Sequence, residues 1–217
     1  MKVEPGTSNA VIVAHQFNPS VVNQLWLVDN GIVARDEFQE GCVFSDMVVN
    51  VNAKDFSLFV SPEQLQFAPK VAEGVEDSVV QNSLGRFVRA VPHTPFAGLG
   101  LNFVWGVSDE DIVTLSRKLF FRPDEPLYKA FDSDNARFGS YMSKDFSGGR
   151  LKLDIKPITL KLIETGESIE RIQFAFNFHF DIAPGGHGAE QICDFLKNWN
   201  AAVDEAKNLM KTVWGEL

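Results

Sequence analysis

Hydrophobic and polar residues alternate strictly from Arg171 to Ile182. There RIQFAFNFHFDI puts Phe174, Phe176, Phe178 and Phe180 on one side and Ala175, Asn177, His179 and Asp181 on the other. Successive side chains of a strand point to opposite faces of a sheet, so this stretch predicts a central strand with a buried aromatic face. The last segment supplies a matching cover. From Ala189 to Val213, Ile192, Phe195, Leu196, Trp199, Val203, Ala206, Leu209, Met210 and Val213 recur at the spacing of one long helix.

The first part of the chain divides by the same reading. Met1–Asn9, with Pro5 and Gly6, reads as a loose lead-in, and Ala10–Ala14 (AVIVA) as a short apolar strand. Asn18-Pro19 predicts a helix start, with Val22, Leu25 and Trp26 at helical spacing until Asn30-Gly31. Cys42–Val51 and Phe56–Val60 predict a hairpin across Asn52–Asp55, and Leu65–Ala68 a third strand ended by Pro69. Between Asp77 and Val91, Val80, Leu84, Phe87 and Val88 fall on one helical stripe, which Pro92 stops.

A similar order then begins again. Phe96–Trp105 predicts a strand, and Ser108 with Asp111 opens a helix along Ile112, Leu115 and Leu119. Arg122–Asp134, rich in proline and acid, predicts an irregular excursion with one helical turn near Leu127–Phe131. Arg137–Phe146 and Leu151–Ile163 predict a hairpin across Ser147–Arg150, whose glycines tolerate positive φ, with Pro157 interrupting the second arm or lying on an edge.

These elements predict an α+β protein. Its sheet is extended and mostly antiparallel, built from two similar halves of strand, helix, three strands and helix, with the helices packed mainly on one face. The halves are residues 1–94 and 95–217, packed as one continuous domain. Leu65-Gln66-Phe67-Ala68 and Ile172-Gln173-Phe174-Ala175 fall at equivalent places in the two, as an internal duplication would leave them. The layout resembles in shape the TATA-binding-protein-like and other helix-over-sheet folds. No residue diagnostic of those families accompanies it, and function does not follow from a shape.

Composition narrows the function classes. At 217 residues and 45% apolar content the chain can bury a sizeable core, and its 19 phenylalanines against two tyrosines belong mostly inside it. A net charge of −9 opposes broad contact with nucleic acid or anionic lipid, which needs clustered cations. No apolar run has the length of a membrane span. Cys42 and Cys193 lie far apart and lack metal-ligand spacing, which with no secretory leader predicts reduced thiols and a cytoplasmic protein.

Candidate chemistry centres on the polar row Asn177, His179 and Asp181, with His187 just beyond. An imidazole and a carboxylate two residues apart share a face and can converge on a metal or act as an acid–base pair, with His187 supplying a third ligand. A water-facing side of an antiparallel sheet carries the same residue types, however. Pro184-Gly185-Gly186-His187-Gly188 lacks the Lys and Ser or Thr of a phosphate loop and reads as a sharp connection. Gly98-Leu99-Gly100-Leu101-Asn102-Phe103 begins like a dinucleotide fingerprint but has Phe103 at its third glycine position. His15 and His93 stand alone, and Asp109-Glu110-Asp111 suits the first turn of a helix. No cofactor, metal or catalytic nucleophile is predicted.

What remains is association. The leading expectation is a non-enzymatic protein-binding or assembly protein, acidic and self-associating as a homo-oligomer or bound to a protein partner, with Trp214 near the chain end as an interface residue. The alternative is a small-ligand or metal-binding protein, or an enzyme, that uses the sheet face around His179 and Asp181.

Overall fold

A computed structural model describes residues 2–161 and 166–214; the side chain of Trp214 and the Ile163 end of the predicted hairpin arm lie outside the described residues. The strands are β1 (Lys2–Ala14), β2 (Val43–Phe44), β3 (Val49–Asn52), β4 (Phe56–Val60), β5 (Gln64–Pro69), β6 (Phe96–Ser108), β7 (Ser140–Phe146), β8 (Gly149–Lys161) and β9 (Ser168–Asp181). All nine join one antiparallel sheet in the order β2-β3-β4-β5-β1-β6-β9-β8-β7. The architecture is α+β, with helices against one face of that sheet. Pairing of β1 with β6 joins the first half of the chain to the second.

Cross-strand partners share a face, so register turns the one-dimensional patterns into rows. One buried row runs Val51, Leu58, Phe67, Ala10, Leu101, Phe178 and Leu151, and the next runs Val49, Val60, Leu65, Ile12, Leu99 and Phe180. The helices cover these rows. They are α1 (Gln24–Asp29), α2 (Glu76–Val79), α3 (Gly85–Ala90), α4 (Ile112–Phe120), α5 (Pro126–Ala130), α6 (Gly188–Leu196) and α7 (Trp199–Trp214), with a π-helical segment at Val80–Leu84 joining α2 to α3. Phe195 of α6 stacks on Phe180 with ring centroids 4.6 Å apart, and Trp199 of α7 meets Phe103 edge-on at 4.9 Å. The four phenylalanines of β9 are thus buried under the last helices, as their alternation predicts.

Several local expectations are corrected. Lys2–Asn9 is not a loose lead-in: it continues β1, pairing with β6 through an irregularity between Pro5 and Ser8 where the proline and glycine sit. A neighbouring strand supplies the hydrogen bonds that this polar stretch could not announce by itself. Pro19 opens only a short 3-10 turn, and α1 starts later at Asn23, whose side chain accepts from the Trp26 amide at 3.0 Å. The run Cys42–Val51 is two strands divided by a turn at Ser45–Val48, closed by Ser45 N–H donating to Val48 O at 3.0 Å. Asp111, rather than Ser108, caps α4: Thr114 N–H and Oγ1–H donate to it at 2.9 and 2.6 Å, and these bonds hold its carboxyl below the usual carboxylate range.

The predicted long C-terminal helix is divided into α6 and α7. Lys197 N–H donates to Asp194 O at 3.2 Å and Asn198 N–H to Phe195 O at 3.0 Å, tightening the last turn of α6 before Trp199 enters the core fully buried. Strand β8 runs through Pro157, beyond the point where β7 begins at Ser140 opposite Ile155, so that part of β8 is a sheet edge.

Burial also sets the chemistry of Cys193. It is 8% exposed, its thiol lies 3.7 Å from Gly85 O, and burial pushes its pKa up. Its thiol is therefore expected to resist alkylation in the native state and to react once the chain unfolds; mass mapping of iodoacetamide adducts before and after denaturant checks this. Rapid native modification of Cys193 would contradict the packing of α6 on α3.

Candidate functional site

Beneath the helices one sheet face is covered; the other carries no helix among the described residues, and register again orders its side chains. One row crosses all nine strands: Val43, Asn50, Phe59, Gln66, Val11, Gly100, His179, Arg150 and Asp145. From Val43 to Gly100 it bears no charge, and from His179 onward it becomes charged. A second row, Gln64, Val13, Gly98 and Asp181, turns at the same boundary between β6 and β9.

A third row is an amide ladder. Asn102 Nδ2–H donates to Asn9 Oδ1 at 2.8 Å, and Asn177 Nδ2–H donates to Asn102 Oδ1 at 2.7 Å, linking β1, β6 and β9. Lys152 and then Ser143 continue this row on β8 and β7. Three glycines of β6 make room for side chains of β9, one of them the ladder's Asn177. A Cβ at Gly100 would stand 2.9 Å from Asn177 Nδ2, one at Gly98 3.4 Å from the His179 ring, and one at Gly106 3.3 Å from Arg171 Cδ. The glycine-bearing stretch of β6 is a seat for side chains leaning across from β9, and the strand runs on to Ser108 where a dinucleotide site would open a helix directly after its glycines.

The open face therefore has two unlike sides. On β7 to β9 charges pair: Arg150 with Asp145 at 2.8 Å, Lys156 with Asp154 at 2.6 Å, and Arg171 with Glu4 of β1 at 2.9 Å. The Glu4 carboxyl lies below its usual range, chiefly because Lys2 hydrogen-bonds to it. On β1, β4 and β5 the outward residues beyond Glu4 are Asn9, Val11 and Val13, Ser57 and Phe59, and Gln64, Gln66 and Ala68. Val13 is 45% exposed. At the margin, Asn50 and Asn52 donate to Gly41 O and Glu40 O, holding the loop before β2, and Lys70 reaches Asn52.

The residues expected from sequence fall in this way. Asn177 belongs to the ladder. His179 Nε2 and Asp181 Oδ1 stand 3.1 Å apart on β9, with the Asp181 side chain 92% exposed. His187 precedes α6, where its Nδ1 hydrogen-bonds Glu190 at 3.0 Å, rather than joining the sheet row. Among the described residues no group of three His, Cys, Asp or Glu side chains is placed to hold a metal ion.

His15 and His93 stand apart in the sequence. The fold brings both to one open cleft of about 640 Å³ at the end of the central strands, walled by Pro92, Pro95, Phe96 and Ile182 and by the Pro184–Gly188 loop. Asn9, Asn102 and Gln66 carry no signal of their placement in the sequence, since the rows they share with other strands arise only where strands pair.

No protein-family model matches the sequence, no curated protein matches it, and no solved structure matches the fold.

Proposed function

We propose that this chain is a non-enzymatic association protein that receives a protein partner on the uncharged side of its open sheet face. One observation carries the reading: the row Val43, Asn50, Phe59, Gln66, Val11 and Gly100 crosses six adjacent strands without a charge, in a chain that is 23% charged. A sheet face kept in water ordinarily carries charged as well as neutral polar groups. Depletion of charge, with apolar and amide groups left in place, is what distinguishes the core of a protein interface from other surface. The charged pairs on β7 to β9 then form a polar rim.

The ligand reading around His179 and Asp181 has less to draw on. Their contact is a single exposed pair, and neither residue lines a described cavity. We further read the two halves as an internal duplication. The order β1, β5, β4, β3 outward from the centre parallels β6, β9, β8, β7, and the matching tetrapeptides occupy β5 and β9.

A photo-crosslinking residue at Gln66, in cells that make the protein, is expected to give a discrete adduct. The same residue at Asn208, exposed on α7, is expected to give none, and Val11→Lys should abolish the Gln66 adduct. Absence of any adduct from Gln66 would overturn the reading.

A further inference from the structure

Resting on that reading, the geometry points to the occupant: we infer that a second copy of this chain packs its uncharged face against the same face of the first. In a two-fold symmetric interface the same patch serves both copies, and residues near the axis meet their own counterparts. Few groups can do so favourably. A carboxylate meets a carboxylate and an ammonium an ammonium, both repulsive, whereas apolar groups pack on themselves and a primary amide carries both donor and acceptor for its twin.

The face has this self-complementary chemistry. Val11, Val13 and Phe59 supply the apolar groups, and Asn9, Gln64 and Gln66 supply the amides. A partner of different sequence would be served as well by a patch of one charge sign; the lack of both signs suits self-pairing. Net charge argues in the same direction. Two chains of −9 repel at long range, and they approach at least cost through a surface that bears no charge.

Size sets the expected strength. Strands about 4.8 Å apart place β2 to β6 across roughly 25 Å, and five residues of strand span about 17 Å, so the patch covers about 400 Å² per copy. Stable interfaces take about 800 Å² of accessible surface from each partner. The dimer is therefore expected to be weak and concentration-dependent, with the two sheets stacked face to face.

Sedimentation velocity of the full chain, from micromolar to millimolar, tests this. Expected is a shift from monomer to dimer, weakened at least about tenfold by Gln66→Lys and by Val13→Lys, each of which buries a like charge on both copies, and unchanged by Asn208→Lys on the helical side. Gln66 and Val13 are outward-facing, and circular dichroism confirms that the variants fold. A chain that stays monomeric at millimolar concentration, or a dimer indifferent to both lysines, overturns the inference. The Gln66 crosslink separates its failure from that of the reading beneath it. An adduct at twice the chain mass supports the second copy, an adduct at another mass overturns the second copy and leaves the docking face, and no adduct removes both.

Discussion

Phe178→Ala is expected to lower folding stability by about 3–5 kcal/mol, the usual range for truncating a buried phenylalanine. Phe178 is fully buried, faces Leu101 and Leu151 across the neighbouring strands, and meets the rings of Phe103 at 5.9 Å and Phe146 at 4.7 Å. Removing it opens a void where β6, β8 and the β7–β8 hairpin converge, and a close-packed interior cannot collapse fully into that space. Since a domain of this kind holds about 5–15 kcal/mol in all, the variant should remain folded in water but unfold at much lower denaturant concentration. Urea titration with an unchanged slope checks this. Gln173→Ala, on the other face of the same strand, serves as the control and should change stability by no more than about 0.5 kcal/mol. A loss below about 1 kcal/mol would mean that Phe178 is not packed between Phe103 and Phe146.

That contrast also explains what the sequence could disclose. Burial on one face repeats within a single strand, so Phe174 to Phe180, and the cover offered by Phe195 and Trp199, were legible from spacing alone. The first residues of β1 were not. Lys2–Asn9 is a strand because β6 runs beside it, a fact recorded in pairing rather than in hydropathy. Likewise Lys197-Asn198 interrupts the last helix without breaking its apolar stripe, since a tightened turn keeps Trp199 and the residues after it on the inward side.

The open face was legible only in part, for a related reason. His179 and Asp181 advertised themselves because one strand carries both. Val11, Gln66, Phe59 and Gly100 are widely separated in the chain and form one row only through three different pairings. What matters in that row is also a missing property, charge, and a run such as Ala10–Ala14 gives no sign that Val11 and Val13 face away from the core. The asparagine ladder was hidden in the same way, with Asn9, Asn102 and Asn177 each an ordinary polar position until register aligns them.

The hairpin at the far edge gives the second large effect, since two adjacent glycines there are required for different reasons. Ser147 and Gly148 form its two-residue loop, with φ of 45° and 81°, the left-handed pair that matches the twist of the flanking strands. A Cβ at Gly148 meets nothing within 4 Å, so Gly148→Ala is opposed by backbone conformation alone, at about 1–2 kcal/mol. At Gly149 the conflict is steric. A Cβ there would lie 2.4 Å from His179 O and 2.5 Å from a ring carbon of Phe180, and the backbone oxygen cannot swing aside as a flexible side chain can. Gly149→Ala must therefore push the start of β8 away from β9, where Arg150 pairs with His179 and Phe180 stacks on Phe195. Its cost is expected at about 3 kcal/mol, the upper part of the range for overpacking. Hydrogen exchange distinguishes the two substitutions. Gly149→Ala should speed exchange of the β8 amides that bond to β9 as well as those of the hairpin, whereas Gly148→Ala should loosen β7 and the loop and leave the β8–β9 pairing protected. Equal exchange profiles for the two variants would show that β8 does not approach β9 as closely as Gly149 allows.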